Sequence, residues 1–204
     1  MPQQLKPAVR ARILAAAADA FAQRGYAAAR LADIAGAAGV STGNLYRYYP
    51  NKEALFAAVV PRSVAARFLR LMRARVRELA TRSDWRAATA AGSSKADALL
   101  DFWIRQRLPV VILLTGAQGS PLAHVRALVV SELARLSDEY AATRLGDNAG
   151  ERVPRVVLVQ LFSATVDMIA AILREHADDA RIRTAFQAFW RYQLAGLDAL
   201  LRDG

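Results

Sequence analysis

Between Arg30 and Lys52 the chain gathers side chains that recognise other molecules by hydrogen bonding and charge. Leu45 and Tyr49 lie four residues apart and share the inward face of a short helix. That leaves Thr42, Gly43, Asn44, Tyr46, Arg47 and Tyr48 on or near its outward side. Hydroxyls, an amide and a guanidinium can bond base edges and phosphates in a major groove, and a glycine among them lets the backbone come close. Lys52 and Arg30 add two cations at the edges of this set. An ordinary surface helix of an α-helical bundle carries similar groups, and spacing alone does not separate the two readings.

The elements that hold this helix can be read from the same stretch. Leu31, Ile34, Ala35 and Ala38 follow the i, i+3, i+4, i+7 spacing of one apolar helix face. Gly39 supplies the left-handed backbone of a helix stop, and Ser41 is a good N-cap for the helix that follows. Val40 and Leu45 are placed for a hydrophobic staple. Pro50 closes the second helix, and Asn51 can cap the next. Upstream, Ile13, Ala17, Ala20, Phe21 and Arg24 step along one side of a first helix over 8–24, which Gly25 stops, with Tyr26 placed against the stop.

Residues from about Arg12 to Val59 resemble the N-terminal domain of the tetracycline-repressor (TetR) family of bacterial transcription regulators. The resemblance rests on Ile13-Leu14, Ala17, Phe21, Gly25-Tyr26, Ile34-Ala35, Ala38-Gly39-Val40-Ser41, Gly43-Asn44-Leu45-Tyr46, Tyr48-Tyr49 and Lys52-Glu53-Ala54-Leu55. It implies a helix-turn-helix unit that binds a palindromic double-stranded DNA operator, in a homodimeric repressor released by a small-molecule effector. Thr42, Gly43, Asn44 and Arg47 are then expected to face bases, and Tyr46, Tyr48, Lys52 and Arg30 to face phosphates. Ala29 and Arg30 stand where the family usually has Thr followed by Ser or Thr. The hydroxyl cap is therefore missing, and Arg30 is expected to take over its phosphate contact. The alternative is a helical small-molecule-binding or enzymatic protein without specific DNA recognition.

Composition fits a folded partner of a polyanion. The 204 residues are 54% hydrophobic, carry a formal net charge of +10 and contain no cysteine. Disulfides, thiolate metal sites and cysteine nucleophiles are excluded. The first 52 residues hold seven basic residues against Asp19 and Asp33, and residues 61–86 hold eight arginines against Glu78 and Asp84. The second cluster reads as a solvated arginine face, or as an attraction for DNA or an anionic effector. MPQQLKPAVRAR lacks the apolar stretch of a signal peptide, and the longest unbroken apolar run, Leu108 to Leu114, is short for a bilayer span. A soluble, cytoplasmic protein with no membrane contact is expected.

No stretch alternates with period two for long enough to be a strand, so the fold class is all-α, with about nine helices. A three-helix DNA-binding domain over 1–59 is expected to precede a larger effector-binding and dimerisation domain over 60–204. A helix from Asn51 to about Leu79 is bent or split at Pro61. A loop with a short helix near Trp85, a helix over 96–107, a short apolar helix after Pro109 and a loop over 116–120 follow. Helices over 122–144, from Pro154 to His176 and from Asp178 to Arg202 complete the chain, with a loop over 146–150. In the last two, Val156, Val159, Phe162, Val166, Ile169 and Leu173, and Ile182, Phe186, Phe189, Trp190, Leu194, Leu197 and Leu201, exceed what one hairpin hides easily. A four-helix interface between two copies is expected there, or else a completed monomer core.

No Ser-His-Asp set, carboxylate dyad, HExxH or phosphate-cradling glycine loop occurs, so neither an enzyme nor a metal or cofactor site is expected. Phe102, Trp103, Gln106, Leu113, His124, Leu128 and Asp167 mix apolar bulk with a few polar groups, as small-molecule pockets and plain cores both do. Asp167, within a very apolar helix, is read as a buried carboxylate needing a partner, either an arginine of the same chain or a cationic ligand.

Overall fold

The computed structural model describes residues 6–81, 94–145 and 153–202. The expected loop and helix around Trp85 and the loop over 146–150 lie outside them. Among the described residues there are ten α-helices, one π-helical turn and no strand. They are α1 (Pro7–Ala28), α2 (Leu31–Ala37), α3 (Thr42–Tyr48), α4 (Lys52–Val59), α5 (Arg62–Ala80), α6 (Ser94–Arg105), α7 (Arg107–Val111), the π turn (Ile112–Gly116), α8 (Val125–Leu145), α9 (Arg155–Glu175) and α10 (Asp179–Arg202). The all-α expectation holds.

Local chemistry accounts for most element ends. Gly25, at φ 77°, breaks helical geometry inside α1. The Asp178 carboxylate accepts from the Arg181 amide and starts α10. The long fourth helix expected from Asn51 is two helices, because Val60 and Pro61 leave helical geometry. Pro61 has no amide hydrogen to continue the ladder, and it sits at the N-cap position of α5. Pro109 lies inside α7 rather than before it. It occupies the first turn, where an amide hydrogen has no intrahelical acceptor to lose.

One continuous buried cluster runs through the chain, from Ile13, Phe21 and Leu45 to Trp103, Phe162 and Phe186. Phe21, Tyr26 and Phe56 form a ring triad with centroids 5.0 to 5.9 Å apart, tying α1 to α4. α1 also packs on α7 and the π turn, so the N-terminal helices join the rest of the chain through α1. α5, α6, α8, α9 and α10 form the C-terminal bundle.

α9 is 21 residues long and apolar enough by length and composition to cross a membrane. Counting unbroken apolar runs missed it, because Gln160, Ser163, Thr165 and Asp167 interrupt the pattern. It packs on α7, α8, α10 and the π turn, and 39% of its most apolar window is buried. The apolar residues of α9 and α10 divide between two faces. Phe162, Val166, Ile169, Leu173, Ile182, Phe186, Leu194 and Leu197 are buried within this one chain, contrary to the interface expected from them. Val156, one of the residues named for that interface, faces outward, as do Val157, Leu161 and Met168 on α9 and Tyr192 and Leu200 on α10.

An ion pair joins α6 to α10. The Arg183 guanidinium donates to Asp101, which holds that carboxyl below its ordinary value. A depressed carboxyl contributes stability above about pH 4 and loses it as pH falls through the folded value. Both partners are more than a third exposed, at 42% and 37%. Solvent screening therefore limits the contribution to about 0.2–1 kcal/mol. Asp101→Asn is expected to lower stability by that amount at pH 7 and to approach the wild type as pH falls through the folded value of Asp101, in denaturant melts across pH.

Candidate nucleic-acid interface

α2 ends in a Schellman turn: the Gly39 amide bonds the Gly36 carbonyl at 3.0 Å and the Val40 amide bonds the Ala35 carbonyl at 3.0 Å. Gly39 takes the left-handed conformation this requires, at φ 65°. Ser41 Oγ then accepts from the Asn44 amide at 3.2 Å and caps α3. Leu45 is fully buried and Tyr49 is 5% exposed, so α3 is pinned by the two residues expected to pin it. Arg24 on α1 pairs with Asp33 on α2 at 2.8 Å. The result is two short helices in fixed relation, with α3 presenting its other side outward.

Gly43, Tyr46 and Arg47 are exposed on that side, and Thr42 and Asn44 are half-buried beside them. Tyr48 is also half-buried, and its hydroxyl accepts from the Lys6 backbone amide at 3.0 Å. The Tyr49 hydroxyl accepts from Arg10 Nε at 3.2 Å. Both tyrosines thus hold the start of α1 against α3. Arg30 is exposed at the N-cap position of α2 and makes no side-chain capping bond, as expected where the hydroxyl is missing. Lys52 is more constrained than sequence suggests. Its ammonium donates to the Ala27 carbonyl at 3.1 Å and lies 4.6 Å from the centre of the Tyr26 ring. Burial lowers its pKa. An ammonium has further hydrogens, so a phosphate can still be met, but Lys52 also fastens α4 to the end of α1.

The residues proposed from sequence for a small-molecule pocket do not come together. Trp103 lines a partly open cavity of about 100 Å³ between α5, α6, α8, α9 and α10. Phe102 is buried with Arg67 stacked over its ring, and Leu113 is buried in the π turn. Gln106 sits between α6 and α7, and His124 and Leu128 are exposed. Asp167 is exposed too, and Arg126 holds both its oxygens, at 2.6 and 3.1 Å. The expected buried carboxylate is thus a surface one with an arginine of the same chain. An apolar helix can carry a charge at its edge without burying it.

The cavity walls include residues that sequence reading passed over. Met72, Arg75, Val76 and Leu79 form one stripe of α5, with Leu133, Leu136 and Ser137 from α8, and Gln193, Leu194 and Leu197 from α10. Arg75 is 9% exposed, unlike Arg62, Arg67, Arg70, Arg73 and Arg77 on the same helix. The signal was present: Arg75 falls three residues after Met72 and four before Leu79, inside the apolar stripe of α5.

Comparison with known proteins agrees with the N-terminal geometry. Residues 13–59 match the sequence profile of the bacterial regulatory proteins, tetR family. The HTH-type transcriptional regulator RutR of Escherichia coli (strain K12) is 54% identical over 48 residues, which make up 24% of this chain and 23% of that protein. The match therefore spans about a quarter of the relative. A TetR family transcriptional regulator from Chloroflexus aurantiacus J-10-FL aligns over 98% of this chain and 94% of its own, with TM-score 0.52 and 18% identity. At that identity the likeness concerns the fold, and it extends over the C-terminal bundle. The resemblance read from about Arg12 to Val59 is borne out.

Proposed function

We propose that this chain, whose residues 13–59 are those of the tetR family of bacterial regulatory proteins, is a homodimeric transcriptional repressor. It binds a palindromic operator and is released by a small molecule held in the C-terminal bundle. The observation that carries the reading is the capped α2–turn–α3 unit, which buries Leu45 and turns Gly43, Tyr46 and Arg47 outward. Thr42, Gly43, Asn44 and Arg47 read bases; Tyr46, Tyr48, Lys52 and Arg30 meet phosphates. The test is titration at one stated salt concentration of the chain's own upstream intergenic DNA and of random duplex. A regulator prefers its site by roughly 10³-fold or more. A basic helical protein without DNA recognition binds both alike and loses both as salt rises, which would sink the proposal.

The dimer uses the outward faces of α9 and α10. Val157, Leu161, Ala164 and Met168 follow one stripe of α9, with Tyr192, Gly196 and Leu200 on one stripe of α10. Tyr192 is 76% exposed and Met168 47%, values that leave apolar surface uncovered in a single copy. The two helices pack side by side, so a second copy related by a two-fold axis covers both at once. Leu161→Arg places a like charge opposite itself across that axis and is expected to yield a folded monomer in sedimentation at micromolar concentration. A dimer as tight as the wild type would move the interface elsewhere.

A further inference from the structure

Lys6 and Arg10 are exposed at the start of α1, and the first acidic residue of the chain is Asp19. Neither cation forms an ion pair among the described residues. Each is instead joined to one of two consecutive tyrosines at the end of α3. The Lys6 amide donates to the Tyr48 hydroxyl at 3.0 Å, and Arg10 Nε donates to the Tyr49 hydroxyl at 3.2 Å. α1 packs mainly on α2, α4, α7 and the π turn. The two hydroxyls therefore tie the start of α1 to α3 where helix packing does not. Tyr49 is 5% exposed, so the hydroxyl that holds Arg10 is itself fixed. The bond uses one of the five N–H donors of the guanidinium and leaves those on Nη1 and Nη2 for another acceptor. Holding an exposed arginine still costs rotamer freedom, and that cost is recovered when the fixed group meets a ligand.

We propose that the start of α1 is a second phosphate-contacting element beside α3, with Arg10 and Lys6 as its cations and Tyr49 as the positioning residue that aims Arg10. It goes beyond the contacts assigned to α3 and rests on the DNA-binding reading for its partner. Spacing supports it. At about 1.5 Å per residue, Arg10 stands roughly 25 Å along α1 from Ala27, whose carbonyl holds Lys52. A major groove is about 12 Å wide. A helix lying in it has a phosphate strand on either side, and the cations at the two ends of α1 reach one strand each. Tyr48 accepts from the Lys6 amide and keeps its own hydroxyl hydrogen for the phosphate assigned to it above.

Salt titrations test this on the full chain, with its own upstream intergenic DNA and with random duplex, from about 50 to 200 mM salt. Arg10→Gln is expected to weaken both duplexes alike, by about fivefold per copy at 0.15 M salt, and to lower the slope of log affinity against log salt by about 0.9 per copy. Arg10→Lys keeps the charge and is expected to keep the slope. Tyr49→Phe keeps the ring, the burial and every charge. It is expected to weaken binding part of the way in the wild type and to add nothing in the Arg10→Gln background. An unchanged slope in Arg10→Gln would overturn the phosphate contact. Equal losses of affinity from Tyr49→Phe in both backgrounds would overturn the positioning role and leave the hydroxyl a structural one. The regulator reading fails separately, if the wild type binds both duplexes alike, because the slope on random duplex still reports on Arg10.

Discussion

Arg47→Ala is expected to abolish most of the preference for operator over random duplex while leaving the chain folded. Arg47 is exposed on the outward side of α3, and its neighbours Gly43 and Tyr46 leave the approach to a groove open. One bidentate arginine–base contact is worth about 1–3 kcal/mol of discrimination. A two-fold dimer uses it twice, so about 2–6 kcal/mol is lost on a palindrome and roughly half of that on a single half-site. Random duplex, bound through phosphates, should weaken only by the loss of one charge per copy. The measurement is a pair of salt titrations, operator and random, for wild type and variant. Equal loss on both sequences would remove Arg47 from the base-reading set and make it a phosphate contact. Lys52→Ala serves as the contrasting case and should weaken both duplexes together. Because Lys52 also bonds the Ala27 carbonyl, its thermal midpoint must be read beside its affinity.

The sequence made the interface legible where the determinants are local. Gly39, Ser41 and Asn51 each act on backbone groups within a few residues, so the Schellman turn and both caps follow from residue type and spacing. Pro61 works the same way. The tertiary features were less legible. Nothing in a period of 3.6 says which of two apolar faces of α9 turns inward, and most of the residues named for the dimer are buried within one chain, whereas Val156 is 65% exposed. Pro109 looked like a boundary because its cost depends on its place in the helix. The cavity was missed because its walls come from five helices, one residue in three or four from each. A list of polar groups drawn from one stretch of chain could not assemble it. Arg75 was hidden among other arginines, and only its phase along α5 distinguishes it.

The second large effect is expected at Gly116, where the C-terminal part of the chain touches the N-terminal helices through α1. A Cβ built on Gly116 would stand 2.6 Å from the Phe21 carbonyl oxygen, and one on Gly25 would stand 3.6 Å from the Gly116 carbonyl oxygen. α1 and the π turn therefore meet backbone to backbone. The Phe21 carbonyl belongs to a helix whose side chains Ile13, Ala17 and Phe21 are fully buried, so it cannot move aside as a flexible side chain would. Overpacking of this kind costs about 1–3 kcal/mol, and Gly116→Val belongs at the upper end because backbone is the obstacle. A loss of about 3 kcal/mol lowers the thermal midpoint of a chain this size by roughly 6–12 °C. Gly36→Ala is the control: nothing lies within 4 Å of its built Cβ, and replacing a helical glycine there should be neutral or slightly stabilising. The functional consequence is sharper than the stability one. Buried Leu45 and Tyr49 pin α3 without Gly116, so ligand-free Gly116→Val should still bind operator below its melting range. With α4 and α5 broken at Val60 and Pro61, the proposed release by a ligand in the bundle is expected to reach α3 through the contact of α1 with the π turn. A ligand shifts that equilibrium only by its differential affinity for the two arrangements, and operator must weaken ligand binding by the same factor. In the wild type, ligand affinity read from Trp103 and Trp190 fluorescence should therefore fall when operator is saturating. In Gly116→Val the two affinities should coincide. A variant that melts with the wild type and keeps the difference would place the coupling elsewhere, in the α4–α5 joint.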